Sequence, residues 1–339
     1  MIFIKGKETE IAMKAAVIHS YGRHGVLHVE DIPVPSIGHN EVLVKVEAAS
    51  VNPRDWLLMR GVYQGKRFVE PLPATLGSDF SGTITACGAN VKHFKVGDTV
   101  FGMQPLKGQF GAFAEYIKIR ANAIALKPET ISHADAAAIP CAGMTSYQTI
   151  HRLAQLKPSE TILINGASGG VGTYGVQIAK AHGAKVVAVC SGKNIKMCKQ
   201  LDADEVLDYA ENNFEEYEAT FDVVYDVIGR SSPRRATKCL KAGGRYVTTI
   251  PNAKTVFEAT KSWVASLIMP GKHKRTQLIV VKPVPEDLTA IADLIGCGKI
   301  TSVIDSIYTL DDIQSAFDHS QSWRAKGKIV IDVSGQLQA

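Results

Sequence analysis

The residue pattern with the most specific chemistry is Asn165-Gly166-Ala167-Ser168-Gly169-Gly170-Val171-Gly172. An apolar strand over 161–165 leads into it and a helix over 170–182 leads out. In that setting Gly166 makes the tight turn, and Gly169 and Gly170 let backbone N–H groups approach a pyrophosphate. Gly172 allows helix and strand to pack closely. Ser168 and Val171 belong to the same phosphate-facing loop, and the helix N-terminus adds partial positive charge. The spacing G-x-x-G-x-x-G differs from the strict G-x-G-x-x-G fingerprint, so the strand–loop–helix context carries the reading. An ordinary glycine turn is the alternative.

The end of the next strand decides which dinucleotide fits. A site for NAD places Asp or Glu about 20 residues after the loop, on the ribose 2′-hydroxyl. Here that stretch reads Val189-Cys190-Ser191-Gly192-Lys193-Asn194 and holds no acid. Ser191, Lys193 and Lys196 instead offer a hydroxyl and two cations, which favour a 2′-phosphate and hence NADP(H). The residues leave open which lysine would take that role, and exposed residues opening a helix are the alternative.

These residues must be held by a larger frame. Residues 13–120 alternate short strands and turns, as in 41–46 with its period of two, which predicts an antiparallel, barrel-like unit. After about Pro128 short apolar strands alternate with helices: strands at 161–165, 185–189, 205–208, 221–225 and 244–247, helices at 134–138, 170–182, 234–240 and up to Leu201. Strand–helix–strand repeats of this kind predict right-handed βαβ units and a parallel sheet. The last stretch adds a helix over 286–296, a strand near 302–304, a helix from Asp311 and a strand over 328–333.

Composition excludes several classes. Hydrophobic residues make up 45% and charged residues 21%, too apolar for a disordered chain. No apolar run approaches the ~20 residues of a membrane span. The net charge of +5 is mild, and Lys272, His273, Lys274 and Arg275 form the one local basic cluster. A solvated loop explains that cluster, so nucleic-acid binding is not expected. The six cysteines lie far apart without a CxxC pair, which suits a reduced compartment and no structural zinc. His93, His133 and His151 are too scattered for a ligand set. Residues 1–12 read as a short extension without the apolar core of a signal peptide.

Taken together, the motifs resemble the zinc-free branch of the medium-chain dehydrogenase/reductase superfamily, the zeta-crystallin-like quinone oxidoreductases. The matching stretches include Ser50-Val51-Asn52-Pro53-Arg54-Asp55, Leu76-Gly77-Ser78-Asp79-Phe80-Ser81-Gly82, Val96-Gly97-Asp98-Thr99-Val100-Phe101-Gly102 and Gly111-Ala112-Phe113-Ala114-Glu115-Tyr116. Ala142-Gly143-Met144-Thr145-Ser146-Tyr147, the glycine loop, 221–226 and Gly327-Lys328-Ile329-Val330 follow in family order. The resemblance spans about Met13 to Val333.

The resemblance implies an α/β fold, a doubly wound Rossmann sheet inserted in a GroES-like β-barrel domain. Residues 1–137 plus 283–339 would form the catalytic domain and 138–282 the NADP-binding domain. Zinc-dependent relatives carry Cys and His where this chain has Asn52 and Ser78, so no metal is expected. Without a Lewis acid, an easier hydride acceptor is needed. The implied substrates are quinones or α,β-unsaturated carbonyls, with NADPH as donor. Asn52 and Tyr63 match catalytic-cleft residues of the family, while Thr145, Tyr209 and Lys328 match cofactor-binding positions. Trp56 and Leu57 replace a second tyrosine of some relatives and suggest a more apolar pocket wall. Asp202 stands where the family has a helix-ending glycine. A cytoplasmic homodimer is implied, with 278–281 as an edge strand for pairing. Two alternatives share the motifs: an enoyl-thioester reductase of the same fold, and a non-catalytic NADPH-binding or redox-sensing protein.

Overall fold

The computed structural model describes residues 11–22, 25–62, 71–105, 111–229, 231–251, 253–268 and 273–337. Tyr63, Lys272 and most of the N-terminal extension lie outside these residues.

The first part of the chain is strand-rich, as its alternation predicts. β1 (Ala12–Ile18), β2 (His28–Pro33) and β3 (Glu41–Val51) lead to a short helix, α1 (Pro53–Met59). β4 (Ala74–Thr75), β5 (Asp79–Cys87), β6 (Thr99–Met103), β7 (Tyr116–Arg120) and β8 (Ile124–Leu126) follow. β1 lies between β2 and β4 in a three-stranded sheet. Two helices, α2 (His133–Ala138) and α3 (Pro140–Tyr147), then lead to the parallel region.

That region runs β9 (Thr161–Asn165), α4 (Gly170–Ala181), β10 (Lys185–Cys190), α5 (Ile195–Gln200) and β11 (Glu205–Asp208). It continues through β12 (Phe221–Asp226), α6 (Pro233–Ala236), β13 (Leu240–Thr248), α7 (Ala253–Ile268) and β14 (Arg275–Leu278). All six strands pair in parallel, in the order β11-β10-β9-β12-β13-β14. Ile162, Leu163 and Ile164 are fully buried, because helices cover both faces of such a sheet. The order reverses between β9 and β12, and ligands of doubly wound folds bind at that reversal. The glycine loop leaves β9 there.

The chain then returns through α8 (Pro285–Gly296), β15 (Ile304–Thr309), α9 (Ile313–Gln321) and β16 (Lys328–Asp332). β16 pairs antiparallel with β3, so both ends of the chain build one sheet, ordered β15-β16-β3-β5-β6-β8 with β7 also on β3. Its core centres on Phe80, Phe113 and Phe317. The core beneath the parallel sheet centres on Tyr174, Tyr225 and Ile164. The fold class is as the motifs imply.

Several local features differ from the sequence reading. α1, α3 and α7 are additional helices, and β15 begins at Ile304 rather than near Ser302. Asp202 adopts φ +69°, the left-handed conformation of a helix-ending glycine, which Asp tolerates at modest cost. Trp56 does not wall a pocket. It is 4% exposed, donates from Nε1 to Ser320 Oγ (3.2 Å) and meets Trp323 edge-on. Helical periodicity turns Arg54, Asp55 and Leu58 toward the cleft instead, with Trp56 rotated against α9. The expected edge strand over 278–281 is instead β14, which ends at Leu278, and its outer edge is covered at Thr276, where Ser262 of α7 accepts from the N–H (2.8 Å). Lys274 of the basic cluster donates to Thr237 O (2.8 Å).

Candidate active site

The glycine loop has the geometry its spacing requires. Gly166 sits at φ +88°, and its N–H and that of Ala167 both donate to Val189 O on β10 (3.0 Å each). A Cβ on Gly172 would lie 2.1 Å from Gly166 O, so the helix can approach the turn only as glycine. Gly169 caps α4 without any side-chain bond. The first-turn N–H groups of Gly170, Val171 and Gly172 therefore have no intrahelical acceptor. A Cβ on Gly169 would meet nothing nearer than Gly166 O at 3.6 Å, so the loop's outer side is open. Val171 O is held by Ser146 Oγ (2.8 Å).

Ser168 ties the loop to two neighbours. Its carbonyl accepts from Gly327 N (3.0 Å), and its Oγ accepts from Asn194 Nδ2 (3.0 Å). Asn194 Oδ1 is buried without a partner among the described residues. An unsatisfied acceptor beside an uncapped helix N-terminus is the state in which a polyhydroxylated phosphate ligand supplies the missing donors. The residues present thus fit a nicotinamide dinucleotide.

The far end of that site is open and carries charges of both signs. Tyr209 N donates to Cys190 O (3.1 Å), which brings the end of β11 to Ser191, the residue before the turn at 192–194. Lys193 and Lys196 are exposed and Tyr209 is 66% exposed. Tyr209 lines a depression of about 320 Å³ with Glu211 and Glu216. The structure adds an acid that the stretch after β10 lacks. Asp208 Oδ1 accepts from Ala210 N (3.0 Å), while Oδ2 would lie 2.3 Å from a Cβ on Gly192. A carboxylate therefore does flank this end, delivered from β11 rather than β10.

The near end is buried and closed on itself. β3 and β5 place Ser50, Asn52, Ser78 and Asp79 together, and β16 adds Lys328. Lys328 is 3% exposed, and its Nζ donates to Asn52 Oδ1 (2.6 Å) and Val51 O (3.2 Å), with Asp79 Oδ2 at 3.6 Å. Its stem runs beneath the loop, where a Cβ on Gly170 would lie 2.9 Å from Lys328 Cδ. Lys328 therefore runs from the loop to the end of β3, with its stem against Gly170 and its ammonium on Asn52 Oδ1 and Val51 O.

Asn52 belongs to the same buried node. Its amide donates to Asp79 Oδ2 (3.0 Å) and Ser50 O (3.3 Å), and it is 3% exposed. Both amide hydrogens are engaged inside the protein, so none is left for a substrate oxygen. Asp79 also accepts from Cys141 N on α3 (3.0 Å) and so joins the barrel to the helix that carries Thr145. Thr145 Oγ1 donates to Cys141 O (2.6 Å) and is 6% exposed. Burial pushes the Asp79 carboxyl up, and the Lys328 ammonium pulls it back.

Asp55 accepts from Asn52 N (2.7 Å) and Ser78 Oγ (2.5 Å). Burial raises its pKa to about 6 against those bonds. With Arg54, Leu58, Ser78 and Gln104 it lines a cavity of about 20 Å³, room for about one water. Arg54 Nη2 donates to Gln104 O (3.2 Å). The sequence reading did not single out Arg54, Asp55, Asp79, Asn194 or Asp208. Four of them stand inside the quoted stretches, but their roles depend on which way each side chain turns.

His133 and His151 are packing histidines, His133 on Ser81 Oγ (2.9 Å) and His151 between the rings of Tyr147 and His182. No helix among the described residues is long and apolar enough to cross a membrane.

Comparison with known proteins agrees with this arrangement. Residues 38–129 match the alcohol dehydrogenase GroES-like domain family, and residues 201–331 match the zinc-binding dehydrogenase family. The chain is similar to 2-methylene-furan-3-one reductase of Solanum lycopersicum, 35% identical over 94% of this chain and 79% of the relative. It is also similar to the mitochondrial NAD(P)H oxidoreductase RTN4IP1 of Mus musculus, 33% identical over 95% of this chain and 89% of the relative. Among solved structures it resembles Escherichia coli quinone oxidoreductase complexed with NADPH, with TM-score 0.79 and 25% identity over 94% of this chain and 100% of that one. An uncapped glycine loop at the sheet's reversal point, a barrel built from both chain ends and these matches lead to one conclusion: the chain is an oxidoreductase of the medium-chain dehydrogenase/reductase superfamily and belongs to its quinone-oxidoreductase-like family.

Proposed function

We propose that the chain uses NADPH to reduce quinones or α,β-unsaturated carbonyls, without zinc. The observation that carries this reading is the division of the cleft. One end offers an uncapped helix and exposed Lys193 and Lys196. The other holds Asn52 and Ser78 in hydrogen bonds to Asp79 and Asp55, at the positions where zinc-dependent relatives carry ligands.

In this reading the loop N–H groups of Gly170 and Val171 bind the pyrophosphate, while the Gly169 N–H is held by Gly166 O (3.2 Å). Asn194 Oδ1 accepts from a ribose hydroxyl, with Ser168 orienting its amide. Ser191, Lys193, Lys196 and Tyr209 receive the 2′-phosphate, and Asp208 limits how strongly. When bound, the cofactor supplies a hydride. Arg54, in the wall of the small cavity, donates hydrogen bonds to the oxygen of the acceptor. Lys328, Asn52 and Asp79 act by position: they fix β16 and β3 against the loop and exclude water beneath it. The names of the relatives support the acceptor class, since one is an enone reductase and another a quinone oxidoreductase.

The domains are proposed as 1–137 with 283–339, and 138–282. The assembly is proposed as a homodimer acting in the cytoplasm. The test is a panel of quinones, alkenals and enoyl-CoA, with NADPH oxidation as readout and EDTA present. Turnover of a quinone or enone supports the reading. Turnover of enoyl-CoA alone, or loss of activity on chelation, overturns it.

A further inference from the structure

α4 carries the first-turn N–H groups of the glycine loop, so the position of this helix sets the position of any phosphate bound there. One stripe of α4 is polar yet buried. Tyr174 is fully buried and Gln177 is 7% exposed. Gly170, Tyr174 and Gln177 follow at spacings of four and three, which places them on one face of the helix. Apart from one bond from Gln177 Nε2 to Thr173 O (3.0 Å), the polar atoms of this stripe leave the helix. They reach residues 301–302, just before β15, the strand that pairs with β16 in the barrel sheet.

Gln177 engages both backbone groups of a single residue. Its Oε1 accepts from Thr301 N (2.8 Å) and Thr301 Oγ1 (3.3 Å), and its Nε2 donates to Thr301 O (3.0 Å). Tyr174 OH donates to Ser302 Oγ (2.8 Å), which donates in turn to Asp135 O of α2 (3.0 Å). Val303, the next residue, accepts from Lys328 N (2.8 Å), and Gly327 N donates to Ser168 O in the loop (3.0 Å). Over about two turns, α4 and its loop are therefore fastened to one edge of the barrel.

Such bonding fixes more than apolar packing does. Hydrophobic contact is non-directional, so an apolar stripe would let α4 slide or turn at little cost. An amide bonded to the N–H and the C=O of one residue allows a single axial position, and a satisfied buried polar network specifies one arrangement. We propose that Gln177 and Tyr174 are positioning residues for hydride transfer: they hold the phosphate-binding end of α4 in the register with the barrel's Arg54 that the reaction needs. They act through the helix, without touching the cleft. Plain adhesion between the two parts would instead contribute stability and leave turnover of the loaded enzyme unchanged.

This role presumes the reductase reading, so the experiment begins with quinone turnover by the wild type. Gln177→Met keeps the side chain's length and removes the amide. Tyr174→Phe combined with Ser302→Ala removes the second contact. Each protein is measured for NADPH Kd by fluorescence, for kcat and KM with a quinone, and for the isotope effect with NADPH deuterated at the transferred position. Amide hydrogen exchange is followed over 301–303 in the NADPH-free chain. In Gln177→Met, exchange at Thr301 should rise. Its NADPH Kd should stay within about two-fold of wild type while kcat falls by at least ~10-fold, inside the ~10²-fold that a misplacement of about 1 Å costs. The isotope effect should become larger and more temperature-dependent. The Tyr174→Phe, Ser302→Ala protein should change in the same direction by less, and it carries the test if Gln177→Met misfolds. Kd and kcat that worsen together, or a lower melting temperature with kcat and isotope effect unchanged, overturn the positioning role and leave the reductase reading standing. A wild type that binds NADPH but turns over no quinone or enone overturns that reading and this role with it.

Discussion

The two ends of the cleft are made of similar residues and behave in opposite ways. At the near end a lysine, an asparagine and two aspartates are buried and bonded to one another. At the far end two lysines, a serine, a tyrosine and an aspartate face solvent or flank an open depression. Burial makes the difference. A buried polar group must find its partner within the protein, so the near end is rigid before any ligand arrives. Exposed cations at a helix start keep their donors available, so the far end can answer to an arriving phosphate. Residue type alone does not separate a positioning role from a binding role.

The largest expected effect falls between the two ends, at the loop. Gly169→Val should abolish NADPH binding, by at least ~100-fold or about 2.7 kcal/mol, in a protein that stays folded, because the added side chain enters only the open side. Fluorescence titration with a thermal melt checks both parts. Gly170→Val should differ by also losing stability, since its side chain would strike the Lys328 stem.

Asp79→Ala tests the closed end. It leaves the Lys328 ammonium buried without its carboxylate and should cost about 3–5 kcal/mol of folding stability, read by urea denaturation. A loss comparable to that of a surface carboxylate would show that the node is looser than its distances imply.

Asp55 gives the closed end a pH signature. Burial raises its pKa to about 6 in the folded chain, from an ordinary value near 3.8. A group raised in this way stabilises fully below the unfolded value and loses that contribution as pH rises through the folded one. Between about pH 4 and 6 the wild type should lose ~3 kcal/mol relative to Asp55→Asn. Parallel stability curves for the two proteins would contradict the burial of this carboxyl.

The loop and the parallel sheet were legible because glycine spacing and hydrophobic period are local signals, whereas the barrel built from both chain ends was implied only by the family resemblance. The near end was only partly so. Asn52 and Lys328 stand out in their motifs, yet their direction is set by Asp79, which arrives from another strand. Asp208 escaped a reading confined to the residues after β10, because parallel pairing brings it there from β11. α7 was not apparent because its apolar stripe faces outward and its buried contacts are Thr255 and Ser262.

The smallest effects should come from the far end, where solvent screens charge. Ser191→Asp should lower NADPH use several-fold with little change for NADH. Asp208→Asn should shift preference toward NADPH by about two- to five-fold, within the range of exposed charge pairs. Ratios of kcat/KM for the two cofactors report both. Equal changes for the two cofactors would place the 2′-phosphate elsewhere.

The most direct test compares kcat/KM for NADPH and NADH with a quinone acceptor, after exhaustive dialysis against EDTA. Exposed Lys193 and Lys196 at the far end and a near end whose polar groups bond to one another predict full activity and at least ~10-fold preference for NADPH, about 1.4 kcal/mol. Equal use of both cofactors, preference for NADH, or activity that returns only with added zinc would contradict the account.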